Sequence, residues 1–193
     1  MNEDYDLFLN NIYRIKSEKN GNISKEMINI GISGGKFSYI GCEYRDSRIS
    51  IDGSGFIIIP GSVDTIFYEK SVSSMDAYVN LNYILRRKLI NGTTTVYLKT
   101  EDVLLKLIQN SQPVKIKKNI SSRINRVDFF KKDNINKEKG LNCEDEQYIN
   151  SINIGLNADF SLVTNISDEF ICDLNYSDII NVFIDGKCVY DKN

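Results

Sequence analysis

The sequence predicts a mixed α/β fold, and three patterns carry that prediction. The first is an apolar, β-branched run, Ile57-Ile58-Ile59, that meets Pro60-Gly61 and continues as Ser62-Val63-Asp64-Thr65-Ile66-Phe67-Tyr68. A buried strand that stops at a working rim reads this way. The second is helical spacing from Ser73 to Ile90, then Asn91-Gly92, then a strand from Thr93 to Leu98. Strand, helix, Gly turn and strand in that order make a parallel crossover unit. The third is a pair of hairpin signals at opposite ends of the chain, Gly34-Gly35 and Asp185-Gly186, each between alternating stretches.

The elements follow in order. Tyr5 to Ile15 reads as a strand, with Asn10-Asn11 as a bulge or turn, and the polar Ser17 to Ser24 as a loop. Met27 to Ile32 and Phe37 to Gly41 form the two arms of the first hairpin. The same glycines do not make a phosphate loop, because the Gly31 to Gly35 spacing is one residue short and Phe37 follows the Lys. Arg48 to Ile51 is a further short strand, closed by Asp52-Gly53.

Ser73-Ser74 are N-cap residues for the first helix. Met75, Tyr78, Leu81 or Asn82, Leu85 and Leu89 give its buried stripe. Arg86, Arg87 and Lys88 complement the dipole at a solvated C-terminus. Thr100 is expected to cap a second helix with Glu101 and Asp102 in its first turn, and Val103, Leu104, Leu107 and Ile108 form its stripe. Asn110 to Pro113 ends that helix and Val114 to Lys117 alternates as a short strand. Residues 56–120 therefore read β-α-β-α-β.

From Ser121 to Tyr148 the periodicity is lost. Arg123, Arg126, Lys131, Lys132, Lys137 and Lys139 make the first part basic, and Glu144-Asp145-Glu146 reverses the sign. With Phe129-Phe130 inside it, this stretch is a candidate for single-stranded nucleic acid. A net charge of −2 and the adjacent acids favour a linker or cover segment, spanning residues 121–152. At 193 residues and 41% hydrophobic, the chain holds one good core or two small ones. No apolar run approaches the roughly 20 residues that span a bilayer. The start, Met1-Asn2-Glu3-Asp4, lacks the form of a signal peptide. Four cysteines, Cys42, Cys143, Cys172 and Cys188, form no C-x-x-C, which predicts reduced, mostly buried thiols and a cytoplasmic protein.

Three groups of these residues, in this order, resemble the amidohydrolase superfamily of metal-dependent deaminases and deacylases. They are Ile51-Asp52-Gly53-Ser54-Gly55 with Pro60-Gly61-Ser62-Val63-Asp64-Thr65, then Gly92-Thr93-Thr94-Thr95-Val96, then the closing Asn153 to Val163 and Ile179 to Tyr190. Gly35 to Gly41 is similar to a hairpin that recurs near the start of such proteins. The resemblance implies a composite β-sandwich from both chain ends, residues 1–55 with 153–193. It also implies a partial (β/α)₈ barrel over residues 56–120. A whole barrel takes roughly 250 residues, so the reading is of a truncated relative.

The resemblance implies zinc or another divalent ion held first by a His-x-His pair. Those positions are Ile66 and Tyr68 here, and the chain has no histidine. Neither side chain replaces an imidazole on zinc, so no metal ligand and no cofactor is expected. The lack of histidine also excludes Ser-His-Asp and Cys-His schemes. Asp64, which matches the acid before the pair, is the candidate catalytic residue. Thr65, Tyr68 and Glu69 are the candidate binding residues at the presumed rim. Lys70, Glu101 and Asp102 are nearby, but the last two read as helix-capping acids. The expected function is that of a catalytically inactive, amidohydrolase-like binding or interaction subunit. Its partner is a second copy or a full-length relative, with neither membrane nor nucleic acid. The alternative is a residual hydrolase of non-peptide C–N bonds using altered, non-His chemistry.

Overall fold

The computed structural model describes residues 5–17, 23–68, 74–118, 152–164 and 178–192. These residues are mostly sheet, with two helices. The strands and helices run β1 (Tyr5–Ser17), β2 (Ile23–Ser33), β3 (Lys36–Gly41), β4 (Ser47–Asp52), β5 (Phe56–Pro60), β6 (Ser62–Phe67), α1 (Ser74–Ile90), β7 (Thr93–Lys99), α2 (Asp102–Gln109), β8 (Lys115–Lys118), β9 (Phe160–Thr164), β10 (Ile179–Ile184) and β11 (Lys187–Asp191). The sequence segment 121–148, with Phe129-Phe130 and Cys143, lies outside the described residues, as do Glu69, Lys70, Ser73 and Cys172.

One sheet takes strands from both ends of the chain, in the order β11-β10-β9-β5-β1-β2-β3, with β4 also on β1. The long first strand shares one edge between two parallel neighbours. Tyr5 to Asn10 pairs with β4, and Tyr13-Arg14 pairs with β5. The changeover is the bulge expected at Asn10-Asn11. The register against β2 slips between Leu9 and Ile12, and Asn11 takes φ 53°, a left-handed conformation that Asn tolerates better than most residues. The Asn11 amide donates to Asn29 Oδ1 at 2.8 Å, and the Gly53 amide donates to the Asn10 carbonyl at 2.6 Å. Both hairpins are present. Gly34 and Gly35 at φ 56° and 76°, and Asp185 and Gly186 at 49° and 71°, supply the two positive-φ residues that a twist-matched two-residue turn needs.

The two hairpins also meet. The Phe37 amide donates to the Leu156 carbonyl at 3.0 Å and the Ala158 amide to the Gly35 carbonyl at 2.8 Å. The Gly186 amide then donates to the Ala158 carbonyl at 2.9 Å. Residues 155–158 thus stitch the β3 end of the sheet to the β10–β11 turn, and the sheet curls around an apolar interior. Leu7, Leu9, Ile12, Ile28, Ile30, Ile32, Phe37, Ile58, Phe160, Leu162 and Phe183 fill it. Phe160 and Phe183 stack with centroids 4.5 Å apart.

The other face of the same strands is buried too, which explains the unbroken Ile57-Ile58-Ile59 run. Ile58 faces the first interior, while Ile57 and Ile59 join a second core with Val163, Val182, Ile184, Leu81, Leu85 and Leu98. That second core lies against α1, α2 and a three-stranded parallel sheet, β6-β7-β8. The β-α-β-α-β order predicted from the sequence is therefore present, but its first strand is Ser62–Phe67. Phe56–Pro60, expected to open the parallel unit, instead pairs with β1 and β9 in the large sheet. An apolar run reads alike in either sheet, and the break falls at Pro60-Gly61.

The helices correct three further expectations. The buried stripe of α1 is Ala77, Leu81, Leu85 and Leu89, while Met75 is 69% exposed. The small Ala77 faces the core and the larger Met75, two residues earlier, projects away from it. In α2, Leu104, Leu105 and Ile108 are buried and Val103 and Leu107 are exposed. Its apolar arc is wider than the side that meets the core. The cap of α2 is Glu101 without a side-chain cap bond, not Thr100. Cys42 and Cys188, expected to be buried, are free and exposed. Among the described residues no helix is long and apolar enough to cross a membrane.

Candidate functional site

Strand β6 decides where each candidate side chain points, because successive residues of a strand face opposite sides. Asp64 and Ile66 share the side that faces α1. The Asp64 carboxylate is 5% exposed, and Lys88 Nζ of α1 lies 2.5 Å from its Oδ2. The pair is close in distance, though not aligned as a straight hydrogen bond. Asp64 Oδ1 accepts the Thr65 amide at 2.8 Å. Ile66 is buried in the second core, and the half-buried Tyr68 packs against the same core. The Tyr68 amide donates to the Lys99 carbonyl at 3.0 Å.

Thr65 faces the other way. The parallel register places it beside Tyr97, and Tyr97 beside Lys117, in one row across three strands. Lys117 Nζ sits 5.6 Å from the centre of the Tyr97 ring. Thr65 Oγ1 is buried without a hydrogen-bond partner among the described residues. The structure therefore separates the candidates. Asp64 and Tyr68 go to the helix side, Thr65 goes to the opposite side, and Glu69 lies outside the described residues.

Sequence reasoning missed the residues that hold Asp64 and those that tie the two sheets together. Lys88, which the sequence places at a solvated helix end, stands three residues after Leu85 and seven after Leu81. That spacing puts it on the buried stripe and was the available signal. Lys115 of β8 donates to both oxygens of Asp159 at 2.8 and 2.7 Å and to Asp185 Oδ1 at 2.6 Å. Asp159 Oδ1 also accepts the Asp185 amide at 2.9 Å. The network pins the third strand of the parallel sheet to the β10–β11 turn. Its residues are 26 to 70 positions apart in sequence, so no local pattern announces it.

This arrangement does not fit a divalent metal. Ile66 and Tyr68 offer no imidazole, Ile66 is part of the core, and Asp64, the one carboxylate of the set among the described residues, faces an ammonium group. Among the described residues no group of three or more His, Cys, Asp or Glu converges.

The exposed thiols allow a direct check on the C-terminal hairpin. Burial, and then the neighbouring Asp191, raise the Cys188 pKa above its ordinary value, and the thiol form donates its S–H to the Tyr190 carbonyl at 3.3 Å. Less thiolate at neutral pH means slower alkylation. Residue-resolved mass spectrometry is expected to show Cys188 labelling more slowly than a model-peptide thiol, with the gap closing as pH rises. Equal rates at neutral pH would contradict this environment.

No protein-family model and no curated protein matches the chain. Among solved structures it is similar to a zinc-bound adenosine deaminase from Xanthomonas campestris, with TM-score 0.49 and 10% identity over 60% of this chain and 34% of that one. It is similar to an N-acyl-D-glutamate deacylase from Bordetella bronchiseptica, with TM-score 0.37 and 23% identity over 51% and 19%. A D-aminoacylase whose structure defines a subset of amidohydrolases gives TM-score 0.36 and 22% identity over 50% and 19%. The chain spans about a third or less of the length of each of the three.

Proposed function

We propose that this chain is a catalytically inactive, amidohydrolase-like protein that serves as a binding or interaction subunit. In this reading the curled sheet from both chain ends is the composite domain, with Phe56–Pro60 counted in it. The β6–β8 sheet with α1 and α2 is a partial barrel carried on that domain. The observation that carries the proposal is the use to which the candidate site has been put. The position of the first lost ligand, Ile66, is core, and Asp64 is neutralised by Lys88.

Two further points support it. Residues 119–159 separate β8 from β9, too few for more than one further barrel unit of roughly thirty residues. Strands β6 and β8 are the two edges of the parallel sheet, and neither has an outer strand among the described residues. Open edges invite a partner, which here is a second copy or a full-length relative.

Elemental analysis of the purified protein tests the proposal, with turnover assayed on adenosine and N-acyl-D-glutamate. The expected result is no stoichiometric metal and no turnover. A full equivalent of bound zinc would sink the proposal. Turnover that survives a chelator and is lost in Asp64→Asn would establish the alternative, a residual C–N hydrolase.

A further inference from the structure

We propose that the outward face of α1 and α2 is the surface by which two copies of this chain pair, with α1 packed antiparallel on α1 about a two-fold axis. The inference rests on the reading of the chain as an interaction protein and names the surface and the partner.

The helix α1 is apolar on two sides. Ala77, Leu81, Leu85 and Leu89 face the core. On the opposite side Met75, Val79 and Tyr83 recur every four residues and are 69%, 57% and 62% exposed. Residues at that spacing form one continuous stripe. Helix α2 packs beside α1 and adds Val103 and Leu107, 71% and 51% exposed. Asn82 Oδ1 of α1 accepts from Ser111 Oγ and Gln112 Nε2, just beyond the end of α2, so the flank of α1 next to Val79 borders the end of α2. A helix with water on its outer face ordinarily carries polar residues there. A run of exposed apolar side chains along that face marks a contact surface.

The charges along the stripe select a second copy as the cover. Asp76 stands at its N-terminal end, and Arg86 and Arg87 stand at its C-terminal end. A two-fold axis at the level of residue 81 reverses the second helix. Each copy then sets Val79 against Tyr83 of the other and Asp76 against Arg86 of the other. The contact is self-complementary, as an isologous dimer requires, whereas a parallel pairing sets acid on acid. Tyr83 is a suitable anchor, since tyrosine and arginine dominate such contacts, and the Arg87 guanidinium lies 5.8 Å from its ring centre. A 17-residue helix is about 26 Å long. With a neighbour 8–10 Å away, the face offers on the order of 500 Å² per copy. That is near the lower limit for a specific dimer, so self-association falls in the micromolar range.

Sedimentation velocity of the full chain across the micromolar range tests this. The expected result is a concentration-dependent species of twice the 22.1 kDa chain mass. Val79→Asp and Tyr83→Asp are each expected to raise its dissociation constant by about 30-fold or more, with circular dichroism unchanged. Asp76→Arg also weakens it, and Asp76→Arg with Arg86→Asp returns it to within about 3-fold of the original. A monomer at every concentration overturns the proposal. So does a dimer indifferent to Val79→Asp, or a double variant no tighter than Asp76→Arg alone. A dimer that ignores these changes would leave the interaction reading standing, while bound metal with turnover would overturn that reading and leave this contact untouched.

Discussion

Lys88→Met is expected to destabilise the protein by about 3 kcal/mol, the low end of the range for removing one partner of a buried ion pair. The physical reason is asymmetry. The Asp64 side chain is 5% exposed and cannot turn to water, whereas Lys88 is 28% exposed and can. Removing the ammonium leaves the carboxylate in a low-dielectric setting, and its bond to the Thr65 amide compensates only in part. Asp64→Asn keeps that acceptor and leaves Lys88 free to reach solvent, so it is expected to cost only about 1 kcal/mol. The double variant is expected to lie within about 1 kcal/mol of the original, because both charges are then gone. Urea unfolding with matched m-values measures all three. Equal losses for the two single variants would mean that Asp64 is not the buried charge described. The outcome bears on function as well. Replacing a catalytic carboxylate commonly leaves a protein as stable or more so, because active sites hold strain. A loss at Asp64 marks it as part of the framework.

What could be read from the sequence was what local chemistry enforces. Gly34-Gly35 and Asp185-Gly186 are hairpin turns because both residues of each take positive φ, and Asn10-Asn11 is a bulge for the same kind of reason. The β-α-β-α-β order was legible because helices and strands differ in period. What was not legible depends on which side of an element meets which neighbour. Alternation places Asp64 and Ile66 together, but nothing local says that their side meets α1. The motif resemblance drew attention to these positions as a former metal site, whereas the structure uses them for a core contact and an ion pair. Met75 and Val79 look like core residues by composition. Their exposure follows only from the rotation of α1 about Leu81 and Leu85. The Lys115 network joins residues from three distant segments, so it belongs to topology rather than to any motif.

The residues that carry the motif resemblance make a second strong prediction, which concerns the joint between the two sheets. Gly61 is the single residue between β5, in the large sheet, and β6, in the parallel one. A Cβ there would overlap Oγ1 and Cγ2 of Thr94 and lie 2.8 Å from its Cβ. Thr94 is 1% exposed and β-branched, so it has few alternative rotamers. The joint is held further by the Ser62 amide donating to the Gly92 carbonyl at 2.9 Å and by Ser62 Oγ donating to Thr93 Oγ1 at 3.2 Å. The Pro60-Gly61 and Gly92-Thr93-Thr94 segments of the family resemblance thus touch one another, and what they share is packing. Gly61→Ala is expected to cost about 3 kcal/mol through overpacking. Thr94→Ala alone is expected to cost about 1 kcal/mol, and Gly61→Ala with Thr94→Ala is expected to recover most of the loss, since the added methyl fills the space the threonine vacates. Thermal midpoints of the four proteins measure the coupling. Additive losses would show that Gly61 is required for some reason other than Thr94. A positive coupling would tie the two motif segments to the scaffold through one packing contact.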